Sequence, residues 1–186
     1  MSSEPLVSAP LTPRLLSLRE VEEIAATWEY DPQPFYVGQV QRSLDFDIPL
    51  LMKQGICAVW GYYDPGVGQQ DQPVGFGAIH LSTLYSDLTD RKPHFYIPLL
   101  SVRPKVESKG YGSSIVNHLV QEAERARSIR SNHTSDLLFL DVYGENDRAI
   151  RCYLANGFEI INEEAPLHDE VESGAPYFVM AKLLRS

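Results

Sequence analysis

Two hydrophobic periods alternate along this chain. Leu18, Val21, Ile24, Ala25 and Trp28 form a stripe at helical spacing, and Ser17 with Glu20 before it makes the reciprocal capping pair that starts helices. Asp31-Pro-Gln-Pro34 ends that helix, and a less regular helix is predicted from Phe35 to Met52. Ile56 to Tyr63 and Pro73 to Leu84 are apolar runs rich in β-formers, joined through the turn-rich Asp64-Pro-Gly-Val-Gly68. The same kind of run returns at His94 to Val102 and Leu137 to Tyr143. Between these two, Ile115, Val116, Leu119, Val120 and Ala123 mark a helix from Gly110 to Arg127. Asp147 to Asn156 reads as a short helix closed by Gly157, and Phe158 to Asn162 and Pro176 to Leu184 as the last two strands. Helices, a hairpin, then strand–helix–strand–helix–strand–strand predict an α/β fold, a mixed sheet covered by helices. The Ser/Pro-rich residues 1–13 are expected to form an extended or disordered arm, leaving 14–186 as a single domain.

Composition narrows the class. A chain of 186 residues with 44% hydrophobic content suits one domain with a real core and argues against disorder as the main state. No apolar run approaches a membrane span, so no membrane partner is expected. No basic residue precedes Arg14 and no apolar leader follows it. Cys57 and Cys152 lack metal or redox spacing and read as reduced thiols, which with the missing leader points to a cytoplasmic protein. A net charge of −9 disfavours nucleic acid as a partner. The histidines are dispersed without an i, i+4 pair, so no catalytic metal is expected.

The most informative chemistry begins where the strand ending Leu99-Leu-Ser-Val-Arg-Pro104 hands over to a helix through Lys105-Val-Glu-Ser-Lys-Gly-Tyr-Gly-Ser113. A glycine-rich turn at a helix N-terminus presents unpaired backbone N–H groups backed by the positive end of the helix dipole, an anion site suited to pyrophosphate. Glycine matters there because a Cβ would hold the phosphate off the backbone. The turn fits neither established nucleotide fingerprint: Ile115 stands where a dinucleotide turn needs its third glycine, and no Gly-x-x-x-x-Gly-Lys-Ser/Thr string occurs. Arg103, Lys105 and Lys109 concentrate positive charge at this point of an acidic chain.

A second stretch supplies Leu140, Val142, Asn146, Ala149, Ile150, Tyr153, Gly157 and Phe158 in one register. Together the two stretches resemble the GNAT superfamily of N-acetyltransferases, whose motifs are Gln/Arg-x-x-Gly-x-Gly/Ala after Leu-x-Val-x-Pro, and Leu-x-Val-x-x-x-Asn-x-x-Ala-Ile-x-x-Tyr-x-x-x-Gly-Phe. The resemblance spans Val74 to Leu184 well and the first seventy residues only loosely. Glu107 departs from it, standing where the family prefers Gln or Arg. The resemblance implies a mixed, mostly antiparallel sheet with central parallel strands splayed at the cofactor. It also implies acetyl-CoA as co-substrate and acetyl transfer to a primary amine, on a small molecule or a peptide, by direct attack. Leu100, Ser101 and Val102 would pair with the pantetheine arm. Lys105, Glu107, Ser108, Lys109, Gly110, Tyr111, Gly112 and Ser113 would surround the pyrophosphate. Asn146 would meet the pantetheine amides or cap the following helix. Tyr153 would protonate the departing thiolate, since a phenol of pKa near ~10 resembles a thiol closely enough for transfer.

The general base is less legible. Some family members carry Glu at the position of Tyr96, a neutral phenol here that would serve as substrate wall or water anchor with water relaying the proton; His94 lies two residues earlier on the same strand face and has the right intrinsic pKa for a base, or is structural. Asp141, on the face opposite Leu140 and Val142, is expected to hydrogen-bond locally. Carboxylates at Glu163, Glu164, Asp169, Glu170 and Glu172 form an acidic connection that is either a solvated loop aiding solubility or, where the resemblance places it beside the acceptor mouth, a lip that steers cationic amines. The alternative to an enzyme is a non-catalytic CoA- or acyl-CoA-binding sensory module on the same fold. The sequence allows a homodimer but does not specify one.

Overall fold

The computed structural model describes residues 11–28, 43–67, 72–106, 110–130, 134–164 and 177–185. Among these residues seven strands form one sheet: β1 (Thr12–Leu15), β2 (Cys57–Tyr63), β3 (Gly75–Ser82), β4 (His94–Val102), β5 (Leu137–Tyr143), β6 (Glu159–Glu164) and β7 (Tyr177–Leu183). Their spatial order is β1-β2-β3-β4-β5-β7-β6, antiparallel throughout except for the central β4–β5 pair. The helices are α1 (Leu18–Thr27), α2 (Ile48–Lys53), α3 (Tyr111–Arg130) and α4 (Asp147–Ala155).

The capping pair forms as the residues predict, with Ser17 Oγ accepting from the Glu20 N–H and Glu20 Oε2 accepting from the Ser17 N–H at 2.8 Å. The less regular helix expected from Phe35 to Met52 is helical throughout its described part, a π-helical turn at Ser43–Asp47 running into the six residues of α2; its residues before Ser43 lie outside the described ones. One expectation needs correction. The arm drawn as residues 1–13 loses its last two residues to β1, where Thr12 and Pro13 pair with Tyr63 and Tyr62. A four-residue edge strand starting at Thr-Pro carries too little hydrophobic alternation to announce itself; the neighbouring strand recruits it.

Each face of the sheet buries its own core. On one, Leu16, Val21, Trp28, Leu44 and Ile48 pack on Val59, Phe76, Ala78 and Leu99. On the other, Ile115, Val116, Leu119, Val120 and Ala123 of α3 and Tyr153 of α4 cover Phe95, Ile97, Leu138, Leu140, Val142 and Met180. Burial of this kind contributes roughly 1.5–3 kcal/mol per large apolar side chain and dominates the stability of the fold. Gly77 lets α3 approach: a Cβ there would come within 2.8 Å of Leu119 Cδ1. Among the described residues, no helix is long and apolar enough to cross a membrane.

Candidate active site

The parallel pair is short. β4 and β5 are in register only at Phe95–Leu138, Tyr96–Phe139 and Ile97–Leu140. Beyond that point Leu99 to Val102 ladder with β3, while Asp141 to Tyr143 ladder with β7. The two strands therefore part like a fork, and Leu100, Ser101 and Val102 line one arm of it. The cause lies in β4 itself. Between Tyr96 and Leu99 it carries Ile97 and Pro98, where β3 has only Ile79 between His80 and Ala78. This bulge adds one residue, at a proline that has no N–H to give a ladder. It also reverses the alternation. Phe95 and Ile97 face α3, and so do Leu100 and Val102 beyond the bulge, whereas Tyr96 and then Leu99 face the other way.

On the α3 side the glycine turn ends at Gly110, whose φ of +77° is a conformation that suits glycine. The helix begins at the next residue, so the N–H groups of Tyr111, Gly112 and Ser113 belong to its first turn and have no intrahelical acceptor. Among the described residues a Cβ at Gly112 would meet Cys152 Sγ alone, at an ordinary 3.5 Å, so packing against them does not demand glycine there. The turn is tied to α4: Asn156 Nδ2 donates to Ser113 Oγ at 3.2 Å and to the Cys152 carbonyl at 2.7 Å, and Ser113 Oγ lies 3.5 Å from Cys152 Sγ. Tyr111 turns its ring inward, 1% exposed, and its hydroxyl donates to Asp64 Oδ2; burial and this bond push the phenol up to about 12. It can offer the turn its backbone but not its hydroxyl. Arg103 donates from Nε to the Pro73 carbonyl at 2.8 Å and lies over the Trp28 ring, which anchors it beside α1. Glu107, Ser108, Lys109 and the side chain of Lys105 lie outside the described residues, as do residues 165–176 and the side chains of Glu163 and Glu164.

Asn146 caps α4, its Oδ1 accepting from the Ala149 N–H at 3.1 Å. From that helix Tyr153 enters the core on the α3 side, 8% exposed beside Phe158, and burial raises its phenol well above the usual range. A phenol so disposed stays protonated at every physiological pH, the state a proton donor needs.

The other side of the fork holds a different cluster. Asp141 is the first β5 residue past the last parallel pair. Its two carboxylate oxygens each accept a phenol: Tyr96 donates to Oδ2 at 2.6 Å and Tyr85 to Oδ1 at 2.5 Å. Tyr143 and Tyr177 lie on the same face further along, with ring centroids 4.2 Å apart. The expectation that Asp141 bonds locally is thus corrected, because both partners are remote in sequence. The sequence held one unread signal, a carboxylate in the middle of the apolar run Leu-Leu-Phe-Leu-Asp-Val-Tyr143. Burial, then the Asp141 charge, raise Tyr96 well above an ordinary phenol, so it stays neutral.

His94 shares the Tyr96 face but not its access. The ring is fully buried, 4.6 Å from Phe139 and 5.9 Å from Tyr85, and neither nitrogen has a hydrogen-bond partner. Desolvation first, then His80, lower it to about 4; the Lys92 backbone opposes this from a geometry that makes no hydrogen bond. Among the described residues no cluster of three or more His, Cys, Asp or Glu side chains is arranged to hold a metal ion.

The family model described as the acetyltransferase (GNAT) family matches residues 17–158. The chain belongs to the GNAT acetyltransferase family. No protein of curated function matches the sequence. Among solved structures, this GNAT protein resembles Arabidopsis thaliana NAA60 in complex with acetyl-CoA, at 15% identity and a TM-score of 0.65, over 95% of this chain and all of that one. It also resembles a spermidine N-acetyltransferase SpeG chimera from Vibrio cholerae and hSSAT (17% identity, TM-score 0.62, 94% and 95% of the two chains). The ribosomal-protein-S18-alanine N-acetyltransferase of Escherichia coli aligns at 15% identity and a TM-score of 0.57, over 95% and 96%. Likeness at such identities establishes the common fold, and leaves this member's acceptor to be argued from its own residues.

Proposed function

We propose that this GNAT protein transfers the acetyl group of acetyl-CoA to a primary amine, with proton transfer divided between the two faces of the fork. The observation that carries this reading is the placement of Tyr153 on the α3 face of the β4–β5 fork and of Asp141, with Tyr96, on the opposite face. Acetyl-CoA supplies the activated thioester. The first turn of α3 offers backbone donors to its pyrophosphate, and the β4 arm at Leu100, Ser101 and Val102 offers backbone groups to pantetheine and to the developing oxyanion. The amine approaches from the Asp141 face, and its proton passes to Asp141 directly or through one water held by Tyr96. Tyr153 donates to the thiolate on the other side. Base and acid then act from opposite faces of the fork, one on the amine and the other on the thiolate. We assign the base to Asp141 rather than to His94, whose nitrogens have no route to solvent.

Two expected results test this. Thiol release from acetyl-CoA, measured across a panel of small-molecule and peptide amines, should be amine-dependent. Tyr153→Phe should lower kcat roughly 10²-fold, the scale of one proton donor, with acetyl-CoA affinity unchanged. Equal turnover by the variant would reduce Tyr153 to a packing residue. Tight acetyl-CoA binding without thiol release on any amine would make the protein a binding module.

Gly112→Val should weaken acetyl-CoA by at least ~2 kcal/mol, because a branched side chain pressed toward Cys152 Sγ would shift the first turn of α3 and its N–H groups away from the phosphates. Calorimetry on the folded variant checks it; unchanged affinity would remove this turn from the site.

A further inference from the structure

The connection between β3 and β4 is longer than a hairpin needs, and it is a built object. Thr89, 5% exposed, donates from Oγ1 to the Lys92 carbonyl at 2.7 Å, and Arg91 N–H returns to the Ser86 carbonyl at 2.8 Å. Asp90 and Arg91 both take the left-handed region, at φ +50° and +61°, a conformation that non-glycine residues keep only when their surroundings impose it. Ser135 N–H donates to the Pro93 carbonyl at 2.8 Å and joins the end of this segment to the approach to β5. One side chain of the segment is driven deep: Tyr85, 8% exposed, stacks on Phe139 at 5.3 Å between centroids and reaches Asp141 Oδ1 with its hydroxyl. Neighbouring Leu84 and Leu88 stay exposed, so burial of apolar surface is not what the segment as a whole achieves.

We propose that Tyr85 is a positioning residue for the transfer reaction: with Tyr96 on the other oxygen, it fixes the Asp141 carboxylate in the orientation and charge state from which it accepts the amine proton. This rests on the assignment of Asp141 as base. A carboxylate on β5 bound by Tyr96 alone can rotate about its χ2 axis, whose preference is broad. A second phenol on the other oxygen removes that freedom and stabilises the charged form. Tyr96 faces Asp141 from β4, Tyr143 from its own strand, Tyr177 from β7 and Tyr85 from the connection; His94 and His80 lie behind Tyr85 and Tyr96. Tyr85 and Tyr96 donate to the carboxylate as phenols, and Tyr85 can be deleted as a donor without removing a charge.

The experiment is Tyr85→Phe in the full chain, which keeps the ring on Phe139 and removes only the hydroxyl. Three quantities are read: kcat and KM with acetyl-CoA and an accepted amine, the acid limb of kcat/KM, and the Asp141 carboxyl titration followed by carbon NMR. Expected are a kcat lowered about tenfold, an unchanged KM for acetyl-CoA, and a carboxyl titration and acid limb both displaced upward by about one pH unit. In an Asp141→Asn background, Tyr85→Phe should cost no further kcat. A folded variant with unchanged kcat and an unmoved titration overturns the proposal, as does a full additive loss in the Asp141→Asn background. A titration that moves in a protein without acetyl transfer on any amine would uphold the Tyr85–Asp141 link while removing the base role on which the catalytic claim stands.

Discussion

Asp141→Asn is expected to lower kcat/KM for an accepted amine about 10³-fold and to leave acetyl-CoA affinity within about twofold of wild type. The magnitude is the middle of the range that a positioned general base contributes. The selectivity follows from geometry. Asp141 stands on the face of the fork away from α3 and α4, where the glycine turn and Tyr153 lie. An amide keeps the shape of the carboxylate but can accept through one oxygen only, so one of the two phenols of Tyr85 and Tyr96 loses its acceptor. A stability loss of about 1–3 kcal/mol accompanies that orphaned buried hydroxyl. Steady-state thiol release and calorimetry on the same preparation separate the two effects. A kcat/KM reduced less than tenfold in the folded variant would place the base elsewhere.

Lowering the pH from neutrality to about 4 is expected to remove on the order of 3 kcal/mol of folding stability through His94 alone. This imidazole is fully buried without a partner for either nitrogen, and its pKa falls from the ordinary 6.5 to about 4. Between those two values the unfolded chain binds a proton that the native state refuses, so stability rises with pH across that interval. The contribution is complete above about 6.5, declines as the pH drops, and is exhausted near 4. The size follows because each tenfold difference in proton affinity between the folded and unfolded chain is worth about 1.4 kcal/mol. His80 and His118 are lowered in the same direction, chiefly by burial, and steepen the decline. His94→Leu, which fills the site without a titrating group, should flatten the dependence by about that amount. Urea unfolding at a series of pH values checks it. An unchanged slope in the variant would show that His94 finds a partner or solvent that the folded structure denies it.

The core periodicities of α1, α3 and α4 and the apolar runs of β2 to β5 and β7 were legible in the sequence because each element is set by its own side chains: the Ser17–Glu20 cap, the Ile115 to Ala123 stripe, the terminating Gly157. The two motif stretches likewise marked the glycine turn, Asn146 and Tyr153, since a backbone cradle and a helix cap leave local signatures. The acceptor side was not legible in the same way. β1 exists because β2 offers an edge. The alternation of β4 reverses at Ile97-Pro98 because β3 spans the same length with one residue fewer, a difference that belongs to two strands at once. Asp141 looked like a locally satisfied polar residue, and only the folding of β4 and of the Ser82–His94 connection onto β5 gives its oxygens Tyr96 and Tyr85. His94 had the right intrinsic pKa for a base, and burial against Phe139 makes it a poor one. Local propensity and capping act over a few residues and are written in the chain order. The ionisation and aim of a side chain depend on what distant strands bring beside it, and tertiary structure alone decides that.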